Sequence, residues 1–164
     1  ITAKRKAMEQ LFGPHYEFHR QGAYFLEYLA EPSTILYPVF QLLLKQRLAT
    51  NVYHMSGGAF NGKLAKPLAK HGLFVRLENL FPPDPREVML LGANFNSAQE
   101  AYAKFPMGND GFITTQQPLV AIERIRSMGL QARVVGQLTL AVNDKTGVEL
   151  EARPGKVVYF SGRD

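Results

Sequence analysis

Apolar positions divide the chain into short segments of two kinds. Ala7, Met8, Leu11 and Phe12 recur at helical spacing and predict a helix over 3–12, stopped by Gly13-Pro14. An aromatic-rich stretch follows, with Tyr16, Phe18, Tyr24, Phe25 and Tyr28, and reads as core or as a domain-contact surface, with a binding role as the alternative. Glu31-Pro32-Ser33-Thr34 is a break that supplies a helix N-cap. A helix is then expected to run to about Leu48, with Ile35, Val39, Leu42 and Leu43 on one face. Residues 51–55 are β-prone and are cut off by Ser56-Gly57-Gly58. A helix over 60–70 is closed by Gly72, a natural C-cap.

The second half alternates more regularly. Leu73 to Leu77 has the two-residue period of a strand, and 81–85 is a proline-stiffened loop. Helices are expected near 85–95 and 97–104, a turn at 108–111 and a strand over 112–115. Pro118 opens a helix that runs to Met128 and is closed by Gly129. A strand over 132–142, a turn at 143–147 and a returning strand over 148–152 form a hairpin, followed by a last strand over 156–160. Strands interleaved with helices in this order predict an α+β (α/β layered) domain with a mixed sheet, its split pattern partly ferredoxin-like. There is no internal repeat.

Composition narrows the classes. The 164 residues suit a single domain, and 46% hydrophobic with 20% charged residues is a globular rather than a disordered balance. Runs such as Leu42-Leu43-Leu44 are far too short to span a bilayer, and no signal-peptide pattern is present, so no membrane partner is expected. The absence of cysteine excludes disulfides, thiolate metal sites and cysteine nucleophiles, and fits a reducing, cytoplasmic setting. The net charge of +5 comes from scattered basic residues, apart from Lys4-Arg5-Lys6. Without zinc-finger spacing or an RNA-recognition signature, this excess suits an anionic small molecule better than nucleic acid. The start at Ile1, directly before a helix, suggests a piece cut at a domain boundary or a processed chain.

The most informative segment is Tyr53-His54-Met55-Ser56-Gly57-Gly58-Ala59-Phe60-Asn61-Gly62-Lys63-Leu64. A strand, a glycine turn and a helix in succession expose backbone N–H groups at a helix start, where an anion can approach closely. Gly57 to Lys63 also spells the first seven positions of a nucleoside-triphosphate P-loop. The eighth must carry a hydroxyl for Mg²⁺, and here it is Leu64. A phosphate or carboxylate guest without that metal is the expectation, with a purely structural turn as the alternative. His54, at the strand end, suits a general base or phosphate donor at neutral pH, or a histidine bonded within an interface. Asn109 and Asp110 either touch substrate or form the turn. Lys66 either meets a phosphate or is solvated. His15, His19 and His71 have no metal-ligand spacing.

His54-Met55-Ser56-Gly57-Gly58-Ala59 resembles the H-I-T-G-G-G pattern of aminoimidazole ribonucleotide synthetases. Lys66 stands where that family has a helix arginine, followed at Leu68 by the family's leucine. Glu31-Pro32-Ser33-Thr34-Ile35 resembles the family's stretch around P-T-R-I-Y, Phe105-Pro106-Met107-Gly108 resembles F-N-M-G, and Val134-Val135-Gly136-Gln137-Leu138 resembles its I-G-x-V strand. Glu100 matches a family glutamate before F-N-M-G. These segments come in the family's order, over residues 28–140.

The resemblance implies a C-terminal, substrate-side domain of a larger protein. Its N-terminal domain, absent from this chain, would hold most of the site for ATP and Mg²⁺. It implies ATP-dependent ring closure of formylglycinamidine ribonucleotide in purine biosynthesis. A ribonucleotide-like substrate would be met by Ser56, Gly57, Gly58, Lys66, Gly108 and Asn109, with His54 as the catalytic candidate. The missing domain would be a partner, and a homodimer is compatible with the reading. The chain departs from the pattern at Ala59 (third loop glycine), Lys66 (arginine) and Pro106 (asparagine). Those departures keep two alternatives in view: a sister ATP-dependent enzyme with another acceptor, and a non-catalytic assembly or regulatory module.

Overall fold

The computed structural model describes residues 2–92, 95–141 and 143–163. It is a mixed α+β fold with two sheets. Helices α1 (Thr2–Phe12), α2 (Arg20–Ala30) and α3 (Tyr37–Lys45) precede strand β1 (Asn51–His54). A π-helix (Ala59–Ala65) runs directly into α4 (Lys66–Lys70), which leads to β2 (Leu73–Leu77). Then come α5 (Pro85–Gly92), α6 (Ala98–Lys104), β3 (Gly111–Thr114), α7 (Pro118–Arg126), β4 (Leu138–Leu140), β5 (Gly147–Arg153) and β6 (Lys156–Phe160).

β1 and β3 form an antiparallel ribbon of their own, with Asn51 opposite Thr114 and His54 opposite Gly111. The larger sheet has the order β4-β2-β5-β6. Its central pair, β2 and β5, is parallel, and both outer pairs are antiparallel. The hairpin expected from 132–142 and 148–152 does not form, because β2 lies between β4 and β5. The four strands of the split pattern are shared between two sheets.

The main core lies between the larger sheet and the π-helix with α4 and α6. It contains Phe60, Leu64, Leu68, Val75, Leu77, Tyr102, Val148, Leu150, Val158 and Phe160. Phe60 is fully buried, with ring centroids 5.4 Å from Tyr102 and 5.8 Å from Phe112, which joins α6 and the ribbon to the π-helix. A second cluster, Val39, Leu43 and Ala49 with Val52, Ile113 and Ile125, seats α3 and α7 on the ribbon. A third joins α1, α2 and α5 through Ala7, Met8, Phe25 and Leu90.

Several expected elements take a different form. The helix expected from Thr34 begins at Tyr37, and Ile35 is 78% exposed rather than on the buried face. Pro38 is the reason: it lacks an N–H and fits only in a helix's first turn, so the helix cannot start much earlier. The aromatic stretch contains α2, whose buried face is Gly22 and Phe25. Gly22 obscures this helix in the sequence, yet it is the residue that lets α2 press against the Tyr16 carbonyl. The strand expected from Ala132 pairs only at Leu138–Leu140, although the Val135 carbonyl accepts a bond from the Glu78 N–H at 2.6 Å. Ala93 and Asn94, at the end of the helix expected over 85–95, and Val142, at the end of the expected strand, lie outside the described residues. Among the described residues no helix is long and apolar enough to cross a membrane.

Candidate functional site

The ribbon brings two remote turns together. β1 ends at His54 opposite Gly111, where β3 starts. One residue on, the Met55 N–H donates to the Asp110 carbonyl at 2.9 Å. The 55–58 turn and the 106–110 turn therefore leave the same end of the ribbon side by side.

The first turn is built on its glycines. Gly58 has φ +88°, a left-handed conformation natural to glycine. The Ala59 N–H donates to the Ser56 carbonyl at 2.8 Å, closing the turn, and the Gly62 N–H bonds the Gly58 carbonyl at the start of the π-helix. Ala59, where a third glycine was expected from the resemblance, has φ +20° and is fully buried. Its methyl thus occupies core space, at the edge of the region that disfavours a side chain. Gly57 is exposed, and a side-chain carbon added there would meet nothing within 4 Å. Ser56 is half-buried and His54 exposed.

The second turn is tighter. The Asn109 N–H donates to the Pro106 carbonyl at 3.0 Å, and both residues between, Met107 and Gly108, have positive φ. Pro106 serves as an acceptor, so its missing N–H costs nothing. A Cβ on Gly108 would lie 2.6 Å from the Pro82 carbonyl oxygen, so only glycine fits. Met107 tolerates φ +50° because its side chain is held in the main core.

The structure divides the candidates. Ser56, Gly57, Gly58 and Gly108 are gathered at one end of the ribbon, with His54 on its last pair. Asn109 is turned inward. It is 4% exposed, and its amide is used up by backbone: Oδ1 accepts from the Phe81 N–H, and Nδ2 donates to the Phe81 and Met107 carbonyls. Lys66 is exposed at the far end of the π-helix, seven residues beyond Ala59, which is about 10 Å at a helical rise. It is not in the loop's immediate surroundings. Leu64, the position a P-loop reserves for its metal-binding hydroxyl, is 3% exposed in the main core. That buried position rules out the P-loop reading on geometry. Among the described residues there is no group of three or more His, Asp or Glu placed to hold a metal.

Two residues hold this geometry together in roles that were not expected of them: Asp110, read as a substrate contact or a turn residue, and Thr34, read as a helix cap. Asp110 accepts from the Met55 N–H through its carbonyl and from the Thr34 hydroxyl through Oδ2, the latter at 2.8 Å. Thr34 is thus a tertiary tether rather than a helix cap. Its position next to prolines and serine resembles a cap signal, and nothing local distinguishes the two roles.

A cleft of about 550 Å³ opens elsewhere, between the ribbon with α7 and the extended segment 132–138. Leu64, Leu68, Phe112, Ile122 and Val135 make its walls largely apolar, and burial raises the Tyr53 phenol above its ordinary value. Among the described residues that line it, the one charged side chain, Arg133, is committed to the Phe81 ring at 3.8 Å and to Asn79. None of the sequence candidates lines it. An apolar cleft of this kind offers little to a phosphate, so the anion-binding candidate remains the paired turns.

No protein-family model matches the chain, and no curated protein matches it.

Proposed function

We propose that the chain is the substrate-side domain of an ATP-dependent enzyme related to the aminoimidazole ribonucleotide synthetases, holding the phosphate or ribose end of a ribonucleotide-like substrate at the turn 56–58. One observation carries this reading. Two segments that resemble the family pattern, 31–35 and 54–59, are apart in sequence and meet at Asp110, just after a third, 105–108, through bonds from Thr34 and Met55. Functional segments converge in this way, whereas chance resemblances have no reason to. ATP and Mg²⁺ belong, on this reading, to a second domain. His54, exposed beside the turn, is the candidate for proton transfer or phosphate contact.

Isothermal titration of the chain with ribose 5-phosphate and with inorganic phosphate tests the anion site. Gly57→Val is the control: the position is open, so the added side chain obstructs the turn without a clash. Binding that this variant abolishes, with folding intact, is the expected result. Absence of binding to either anion overturns the site.

A second reading, a non-catalytic assembly or regulatory module, is favoured by the commitment of Asn109 to backbone and by Pro106. A sister enzyme with another acceptor would share the turns. Substrate-dependent ADP release, measured with the ATP-binding domain present, separates enzyme from module, and the acceptor that stimulates release identifies the substrate.

A further inference from the structure

We propose that residues 31–36 form a strap that sets the position of the glycine turn, with Asp110 as its positioning residue; the consequence for anion affinity rests on the site proposed above. The strap leaves α2 and is fastened at three points. Glu31 accepts an ion-paired hydrogen bond from Arg86 on α5 at 3.3 Å. Thr34 donates to the Asp110 carboxylate at 2.8 Å. Leu36 then lies directly on Gly111: a Cβ there would come within 2.7 Å of Leu36 Cδ1 and of Phe40 Cζ.

Asp110 is where this fastening reaches the turn. Its side chain is bound to the strap and its main-chain carbonyl to the Met55 N–H, the last ribbon contact before Ser56-Gly57-Gly58. A shift of the strap therefore moves Asp110, and Asp110 moves the base of the turn. Each exposed polar contact alone is weak. Polar and packing contacts on the adjacent residues Asp110 and Gly111 act on the same backbone, which makes the coupling mechanical. The helices α1 and α2, joined to α5 by their own small core, are then in a position to influence the turn through the strap.

Amide hydrogen exchange on the chain tests this without any ligand. Thr34→Val removes the hydroxyl and keeps the shape. Faster exchange at Met55 and through 56–59, with β2 and β5 unchanged, is expected. Thr34→Ser, which restores a hydroxyl, should return exchange to the parent rate. Unchanged exchange at 55–59 in Thr34→Val, or an equal loss of protection throughout the chain, overturns the strap. A matching loss of phosphate affinity of about threefold in Thr34→Val, recovered in Thr34→Ser, would carry the coupling through to the site. If the parent chain binds no phosphate, the anion reading fails, and the exchange data still decide the strap.

Discussion

Asn109 binds Phe81 through both ends of its amide, accepting from the Phe81 N–H at 3.0 Å and donating to the Phe81 carbonyl at 3.1 Å. The side chain thereby acts as one more strand partner for the 78–84 loop. Nδ2 also donates to the Met107 carbonyl at 2.9 Å, which ties that loop to the 106–109 turn. Asn109→Ala removes the side-chain partner of three backbone groups, one buried and two half-buried, and should cost about 2–3 kcal/mol in urea unfolding. Asn109→Asp should be worse at neutral pH, because a carboxylate oxygen would face two carbonyl oxygens. The gap between the two variants should narrow as the pH falls and the introduced acid is protonated.

Two exposed glycines in the paired turns should respond oppositely to the same substitution. Gly57→Ala adds a methyl to open space and should change stability by no more than about 0.5 kcal/mol. Gly108→Ala must hold φ +81° and fit against the Pro82 carbonyl, and should cost about 1–3 kcal/mol. Comparing the two in denaturant titrations tests whether the 106–109 turn is packed as described.

Arg86 joins several groups and should not tolerate lysine. It donates to Asp84 through Nε at 3.0 Å and Nη2 at 2.8 Å, pairs with Glu31, and stacks over Tyr28 at 4.4 Å. A lysine can supply the charge but neither the forked contact nor the planar stack. Both Arg86→Lys and Arg86→Ala should lower the thermal midpoint and loosen α2, read as faster amide exchange at 20–30.

The same cluster predicts pH dependence at both extremes. Its hydrogen bonds from Arg86 hold the Asp84 carboxyl below the usual carboxylate range. That stabilisation is present above the unfolded value, near pH 4, and is lost as the pH falls through the lower folded value. At Tyr28, burial first and then the nearby Glu87 and Asp84 carboxylates push the phenol up to about 12. Its contribution is complete below the ordinary value near 10 and disappears as the pH rises from about 10 to about 12. Ultraviolet titration of tyrosine ionisation should show a late-titrating group that Tyr28→Phe removes. Acid unfolding of Asp84→Asn should begin from lower stability and show a shallower slope below pH 4.

Leu68, 1% exposed between α4 and the larger sheet, is the simplest test of the main core. Leu68→Ala should cost about 2–5 kcal/mol. Ser97→Ala removes the cap whose hydroxyl accepts from the Glu100 N–H at 3.2 Å and should cost about 1 kcal/mol. Both follow from equilibrium unfolding.

The sequence by itself determined most of the local elements, because these rest on interactions a few residues long. The helix of Ala7, Met8 and Leu11, the alternation of 73–77, Pro118 in the first turn of α7 and Gly72 after α4 state their structures directly. The α+β class followed from their order. The glycine turn before a helix was also legible, since Gly57-Gly58 after a strand leaves the backbone few alternatives. Tertiary structure alone decided what the candidate residues do. Asn109 turned inward because Phe81, twenty-eight residues away, offered it two backbone partners. Thr34 bonded Asp110 rather than capping a helix, because Pro38 delayed the helix start. Lys66 was carried away from the turn by the length of the π-helix. Polar side chains are satisfied by whichever partner the fold places within about 3 Å, and that choice is set by contacts across the whole chain.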